Sequence, residues 1–492
     1  MQGRGFASLL WLVVAFTAMM SVTLINGRPL FYFDTRGYID QGTTGLSQLG
    51  LIARPVAKQA PADATQGGGK DIAAPVKSDN TVDGSRSAVY ALIAAMFAHL
   101  QALWTVPLIN ALLVMVAVWL PIRVAHRTYA PAYSVSALVA LPLIAACAGS
   151  LPFYVAFLMP DIFTPILILM IATLSVFGRQ MSAAERVLAI ALGALAIVSH
   201  LSHLAIAAVL VPLSVLVALA MSRRNWWVPP LLVLVIVSMG YIENRALRFA
   251  AQKVSHSEVI LKPFLTARLV QDGPGLDYLG RHCPDTAIPT CPLFAALQLS
   301  DDPYRLTASH IIFETSAELG SFRLMSADDQ GIVARNQFKF FRDVLLDDPL
   351  GVTYAMTRNM LIQARMFSVD MTLQTDQMVS LAADTASGST RVLQHGWLTR
   401  ATGWLAPATA LQTGAYMLAF LVIIVLGLLP HRVPGPVRLL VLMLLAGILA
   451  NALICGAVSQ PATRYGARVS WLLPFAAVVL ALFSKRNPAG RT

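Results

Sequence analysis

A chain of 492 residues that is 57% hydrophobic and 12% charged, with a mean hydropathy of +0.66, falls outside the composition of soluble globular proteins. Its net charge of +11 does not argue for nucleic acid, because the Arg and Lys residues are spread over short loops and not gathered into a stripe. They stand beside apolar runs, where the inside-positive bias of membrane proteins places them, and no nucleic-acid partner is expected.

The first apolar run, 6–26, follows Arg4 as a signal peptide would. Its long apolar core, the lack of a convincing small-x-small cleavage site and the spans downstream read instead as a retained helix. Basic pairs at Arg123 and Arg127, Arg179 and Arg186, Arg223 and Arg224, Arg432 and Arg438, and Lys485 and Arg486 then fall on one side. That arrangement gives about ten spans: 6–26, 103–122, 130–150, 162–178, 187–201, 204–221, 227–243, 405–430, 437–458 and 468–484. Residues 87–102, with His99 and Gln101, read as a juxtamembrane helix leading into the second span. The polar break at Ser199-His200-Leu-Ser202-His203 divides 187–221 into two short helices with a tight outer turn.

The expected fold class is therefore an all-α polytopic membrane protein with about ten transmembrane helices and a mainly helical extracytoplasmic domain or cap. An N-terminal transmembrane module, 1–243, carries an extracytoplasmic loop at 27–102. An extracytoplasmic domain follows at 244–403, with helical-looking stretches at 331–346 and 354–367. A C-terminal transmembrane module, 404–492, closes the chain. The middle of the first loop, 52–79, is rich in Ala, Pro, Gly, Lys and Asp and reads as a mobile excursion.

Of four cysteines, Cys147 and Cys455 lie in apolar spans and read as small buried hydrophobes. Cys283 and Cys291 flank a short loop in the outer region and are expected to form a disulfide in an oxidising compartment, two free thiols being the other reading. No second pair completes a zinc site.

Charges next to hydrocarbon are expensive unless they face an aqueous cavity or a partner. The stretch Arg28-Pro-Leu-Phe-Tyr-Phe-Asp34-Thr-Arg36-Gly-Tyr38-Ile-Asp40 sets such charges directly after the first span. In a helix, Asp34 and Tyr38 share a face, as do Arg36 and Asp40. Asp34 suits a base that takes a proton from an acceptor hydroxyl, or a ligand to a divalent cation. The other reading is a solvated loop in which Asp34 pairs with Arg36. Asp161, in the turn before the 162–178 span, suits a helix N-cap or a second functional acid on the same side. His200 and His203 suit phosphate contact or a structural polar contact, two histidines being a poor metal signature. Lys262 and Arg268 suit an anionic headgroup or solvated charges. Arg464 and Arg468, four apart at the outer end of the last span, suit a phosphate or diphosphate clamp.

This order of features resembles the GT-C fold membrane glycosyltransferases that use a polyprenyl-phosphate-linked sugar. In that family the catalytic acid directly follows the first span, as Asp34 does in Phe31-Tyr-Phe-Asp34-Thr-Arg-Gly-Tyr38. A family pattern Arg-x-Pro-x-Tyr-Pro is similar to Arg86-Ser87-Ala88-Val89-Tyr90-Ala91, which lacks both prolines. A further acid in the next outer turn matches Asp161, and an Arg-Tyr pair entering a late span matches Arg464-Tyr465. The resemblance covers 1–240 and 404–484.

It implies an inverting glycosyl transfer at the periplasmic face of a bacterial inner membrane, from a polyprenyl-phosphate sugar to a glycan, lipid or protein acceptor. Asp34 and Asp161 would be catalytic. Arg36, Tyr38, Arg86, Tyr90, His200, His203, Arg268, Arg464, Tyr465 and Arg468 would bind substrate. A divalent cation, Mg2+ or Mn2+, is left open by the family. Two other readings stand beside this one: a transporter or flippase of a lipid-linked or anionic substrate, for which the chain shows no internal repeat, and a non-catalytic scaffold with the same fold.

Overall fold

The computed structural model describes residues 2–53, 81–222, 224–254, 256, 258–283, 288–314, 321–383, 385, 391–429 and 432–484. Most of the expected excursion at 52–79 lies outside the described residues, as do Arg223, Lys485 and Arg486. The described chain is helical almost throughout, with one short parallel strand pair, Thr81–Asp83 against Glu258–Ile260.

Among the described residues, eight helices are long and apolar enough to cross a membrane: Phe6–Asn26, Leu103–Tyr129, Pro160–Phe177, Leu201–Met221, Val228–Lys253, Leu405–Gly427, Gly435–Ser459 and Thr463–Phe483. The expected count of about ten is corrected by two segments. The run at 130–150 forms a helix only over Val135–Cys147, because Ser134 caps its start and Gly149-Ser150 interrupts it before the short turn Leu151–Ala156. The run at 187–201 forms Ala183–Val198, begun by the reciprocal Ser182–Glu185 cap and ended at Ser199. At about 1.5 Å per residue, a 13-residue helix reaches about 20 Å of a roughly 30 Å hydrocarbon layer. Hydropathy had counted apolar residues that the caps exclude from helix.

The division expected within 187–221 is present, since one helix stops at Val198 and the next starts at Leu201 with His200 as its cap. The expected juxtamembrane piece forms the helix Ala88–His99. At the centre stands Phe163–Phe177, in which every side chain is buried; a helix apolar on all sides belongs in the middle of a bundle. The helices 106–129, 183–198, 201–221, 228–254 and 435–453 surround it. Leu405–Gly427 instead exposes Leu418, Phe420 and Leu421, an outward apolar face suited to lipid.

Residues 264–363 build short helices around a second core that includes Leu269, Leu293, Ile311, Val333, Phe340 and Val344. The stretch expected at 331–346 falls in Ala327–Arg335 and Gln337–Asp347, broken at Asn336, and the one expected at 354–367 falls in Pro349–Gln363, which ends four residues earlier. Cys283 and Cys291 are disulfide-bonded, with Cα atoms 5.7 Å apart, as expected. This unit is tied to the membrane bundle by Gln363, whose side-chain amide donates to the Ala462 carbonyl and accepts from the Ala462 N–H, both at 2.9 Å.

The helices Phe33–Gln48 and Ala88–His99 pack as a close pair. Their approach requires Gly42: a Cβ built there would lie 1.9 Å from the Ala91 carbonyl oxygen, a backbone atom that cannot swing away. At Gly45 the nearest atom is a Leu92 methyl at 3.1 Å, which can yield. Gly42→Ala is expected to destabilise the protein by about 1–3 kcal/mol. Gly45→Ala should be near neutral, since the gain in helix propensity offsets a soft contact. Thermal melting of the two variants in detergent checks the contrast, and equal midpoints would contradict this packing.

Candidate functional site

The site is assembled where the chain leaves its first span. A single parallel bridge joins Leu30 to Phe157: the Leu30 N–H donates to the Ala156 carbonyl at 2.8 Å, and the Leu158 N–H donates to the Leu30 carbonyl at 2.7 Å. Thr35 reinforces it. Its hydroxyl accepts from the Tyr32 N–H at 3.0 Å and donates to the Leu158 carbonyl at 3.2 Å. These bonds hold the start of the Phe33–Gln48 helix, with Asp34 in its first turn, beside the turn that carries Asp161. A third segment, Thr463–Ser470, is locked against them. Tyr154 donates to the Arg464 carbonyl at 2.5 Å, Ser150 donates to the Ala467 carbonyl, and Asn451 donates to the Tyr465 carbonyl at 2.8 Å.

Asp161 is fully buried and engaged by two guanidiniums. Arg464 contacts it through Nε at 3.0 and 3.1 Å and through Nη2 at 2.7 Å, a bidentate pairing, and Arg468 Nη1 lies at 3.4 Å. Of the two readings of Asp161, a helix N-cap or a second functional acid, the N-cap is not formed, since its carboxylate faces the arginines. Arg468 is also fully buried and donates to Asn451 Oδ1 at 2.8 and 3.1 Å and to Cys455 Sγ at 3.1 Å. Arg464 lies 4.9 Å over the Tyr32 ring and 5.7 Å over that of Tyr465, and Arg468 lies 5.0 Å over Tyr465. The expected open phosphate clamp is corrected too: only 4% of the Arg464 side chain is exposed, and its donors are spent on acids.

Asp34 is the accessible member. Its side chain is 39% exposed, and it pairs with Arg86 Nη2 at 2.9 Å and Arg464 Nη1 at 3.4 Å. Arg36 does not take that place. It pairs with Asp40 at 3.2 Å on their shared helix face and donates to the Leu381 carbonyl at 2.8 Å. Gly37 lets Arg86 in, since a Cβ there would meet the guanidinium carbon at 2.7 Å. Ser87 starts and anchors this helix: its hydroxyl accepts from the Tyr90 N–H at 3.0 Å and donates to the Val198 carbonyl at 2.5 Å. Tyr38 and Tyr90 are buried edge to face, 5.0 Å apart. Burial pushes both phenols well above their ordinary range, so they stay protonated and pack behind Asp34.

The histidines divide. His203 is fully buried, with Nδ1 against the Ala196 carbonyl and Nε2 against the Thr164 hydroxyl, both at 2.6 Å. A carbonyl only accepts, so Nδ1 carries the proton and Nε2 accepts from Thr164. Both nitrogens are used inside the bundle, which corrects the substrate-binding role expected for His203. His200 accepts the Ser202 N–H at Nδ1, at 3.2 Å, and caps the following helix. Arg268 is likewise corrected. It lies in the core of the outer unit, bound by Asp272, by Gln271 at 3.2 Å and by Asn359 at 3.1 Å. Lys262 sits 4.8 Å over the Phe313 ring of the same unit.

Sequence reading missed Asn451 and the polar use of Cys455, four residues apart in one apolar span, a spacing that sets both on the face turned toward Arg468. It also missed Glu243, and the available signal was a carboxylate standing where the apolar part of the Val228–Val254 helix gives way to Asn244, Arg245 and Arg248.

These observations define an all-α, multi-pass membrane protein with a buried acid–guanidinium cluster that reaches the surface at Asp34. No protein-family model matches the chain, and no curated protein does. Among solved structures it is similar to the crystal structure of ArnT from Cupriavidus metallidurans bound to undecaprenyl phosphate, at 14% identity and a TM-score of 0.34 over 96% of this chain and 78% of that one. The apo ArnT structure is similar at 13% identity and a TM-score of 0.33, over 97% of this chain and 78% of that one. Both likenesses are distant, and the roles assigned below rest on this chain's own residues.

Proposed function

We propose that the chain is a membrane glycosyltransferase that moves a sugar from a polyprenyl-phosphate donor to an acceptor hydroxyl at the periplasmic face of a bacterial inner membrane. The observation that carries this reading is Asp34, an accessible carboxylate fixed by two guanidiniums from distant parts of the chain. A carboxylate offers about four acceptor sites, and the two guanidinium contacts leave room for a substrate hydroxyl.

In this reading Asp34 takes the acceptor proton as the acceptor oxygen bonds to the anomeric carbon from the side opposite the phosphate. The carbon–oxygen bond to phosphate breaks, its electron pair leaves with the phosphate oxygen, and the configuration inverts. Arg86, with 27% of its side chain exposed, touches Asp34 and reaches the surface, so it stabilises the charge growing on the leaving phosphate. Asp161, Arg464 and Arg468 act as positioning residues that fix Asp34 from beneath. Among the described residues, no group of three or more His, Cys, Asp or Glu side chains is placed to hold a metal. Asp34 and Asp161 both face guanidiniums, so this donor set does not suit Mg2+ or Mn2+.

The test is lipid recognition by the purified protein. A polyprenyl monophosphate should raise the thermal midpoint in detergent, a polyprenol of equal chain length should not, and Arg86→Gln should remove most of the difference. Equal protection by both lipids would overturn the reading.

A further inference from the structure

A small cavity lies beside Arg86, between the Ala88–His99 helix start, the His200 turn and the Val228–Val254 helix. Arg86, Ser87, His200, Glu243 and Asn244 are among the side chains that line it. It holds about 20 Å³, room for one water or one hydroxyl group, and it is open on one side. Glu243 lines it, and its Oε1 is buried with no hydrogen-bond partner among the described residues. A carboxylate oxygen withheld from water without a donor is costly, and such groups in native proteins call for an explanation. His200 supplies the opposite polarity: its Nδ1 accepts the Ser202 N–H, which leaves Nε2 as the N–H donor. The cavity thus sets the unused acceptor Glu243 among donor-bearing residues, His200 and Asn244 with it, and shares Arg86 with the candidate reaction centre.

We infer that Glu243 is a specificity-determining residue that accepts a hydrogen bond from one hydroxyl of the donor's sugar, with His200 donating to the same hydroxyl. The inference rests on the glycosyl-transfer reading and deepens it. A hydroxyl satisfies both groups at once because it donates and accepts. The open side admits the rest of the ring, while Arg86 holds the phosphate a few ångströms from Asp34's reach. A site built around a substrate hydroxyl discriminates strongly against ligands that lack it, because the buried polar groups are then left unpaired.

The experiment compares thermal protection by bare polyprenyl phosphate with protection by a panel of polyprenyl-phosphoryl pentoses and hexoses, for the wild-type chain, Glu243→Gln and Glu243→Asp. At least one sugar-bearing lipid should bind the wild type more tightly than the bare phosphate. Glu243→Gln, which keeps size and removes charge, should weaken that lipid by roughly tenfold or more and leave the bare phosphate unchanged. Glu243→Asp should recover part of the loss. If bare phosphate binds normally but sugar binding is the same in all three proteins, this inference fails and the glycosyl-transfer reading survives. If neither lipid binds the wild type, both fail. A water retained between Glu243 and His200 in a sugar-lipid complex would also overturn it.

Discussion

Arg464→Met is expected to destabilise the protein by about 3–5 kcal/mol, the largest effect of any single change considered. Arg464 is 4% exposed and supplies the bidentate pairing to Asp161, which is fully buried. Removing it leaves that carboxylate with Arg468 at 3.4 Å as its remaining ion-pair contact. Breaking a buried ion pair from one side leaves a charge in a low-dielectric interior, and that residual charge is what costs. The same argument fixes the sign of a second change. Adding Asp161→Asn to Arg464→Met removes the stranded charge, so the double variant should be more stable than the sum of the single losses requires. Thermal melting of the four proteins in detergent measures the coupling. Strictly additive losses would contradict the pairing.

Asp34→Asn should behave in the opposite way. Its side chain is 39% exposed and lies at the surface end of the cluster, and the amide oxygen can still accept from Arg86, so melting should change little. Transfer from a polyprenyl-phosphate sugar should fall by roughly 10²-fold or more, the loss expected when a general base is removed. Protection by the donor lipid should persist, because Arg86 is intact. Normal turnover in a folded Asp34→Asn protein would remove Asp34 from the mechanism. A collapse in melting with no specific loss of turnover per folded molecule would make it structural.

Much of this arrangement was legible in the residues. Basic loops and apolar runs put Asp34, Asp161, Arg464 and Arg468 at one end of the bundle, and the structure brings those four together. The pairings were not legible. Helical spacing correctly matched Arg36 with Asp40, but Asp34 pairs with Arg464 and with Arg86, 52 residues away, and the Arg86 contact depends on Gly37 having no side chain. The number of spans was overstated because hydropathy adds up residues without regard to caps, whereas Ser134, Ser182 and the Ser199–His200 break set the helix lengths. His203 looked like a ligand because its two bonds, to Thr164 and Ala196, join three helices and leave no trace in local sequence. Glu243 was overlooked as the tail of a span, although an intramembrane carboxylate is by default a functional candidate.

The central claim is that the donor's phosphate is held at Arg86 with its sugar turned toward Asp34. A cryo-electron microscopy map of the full chain in a lipid nanodisc with a polyprenyl-phosphate sugar tests it most directly. The account expects phosphate density within hydrogen-bond distance of the Arg86 guanidinium and the anomeric carbon beside the Asp34 carboxylate; a phosphate seated elsewhere, with the Asp34–Arg86 pair facing no ligand, would contradict it.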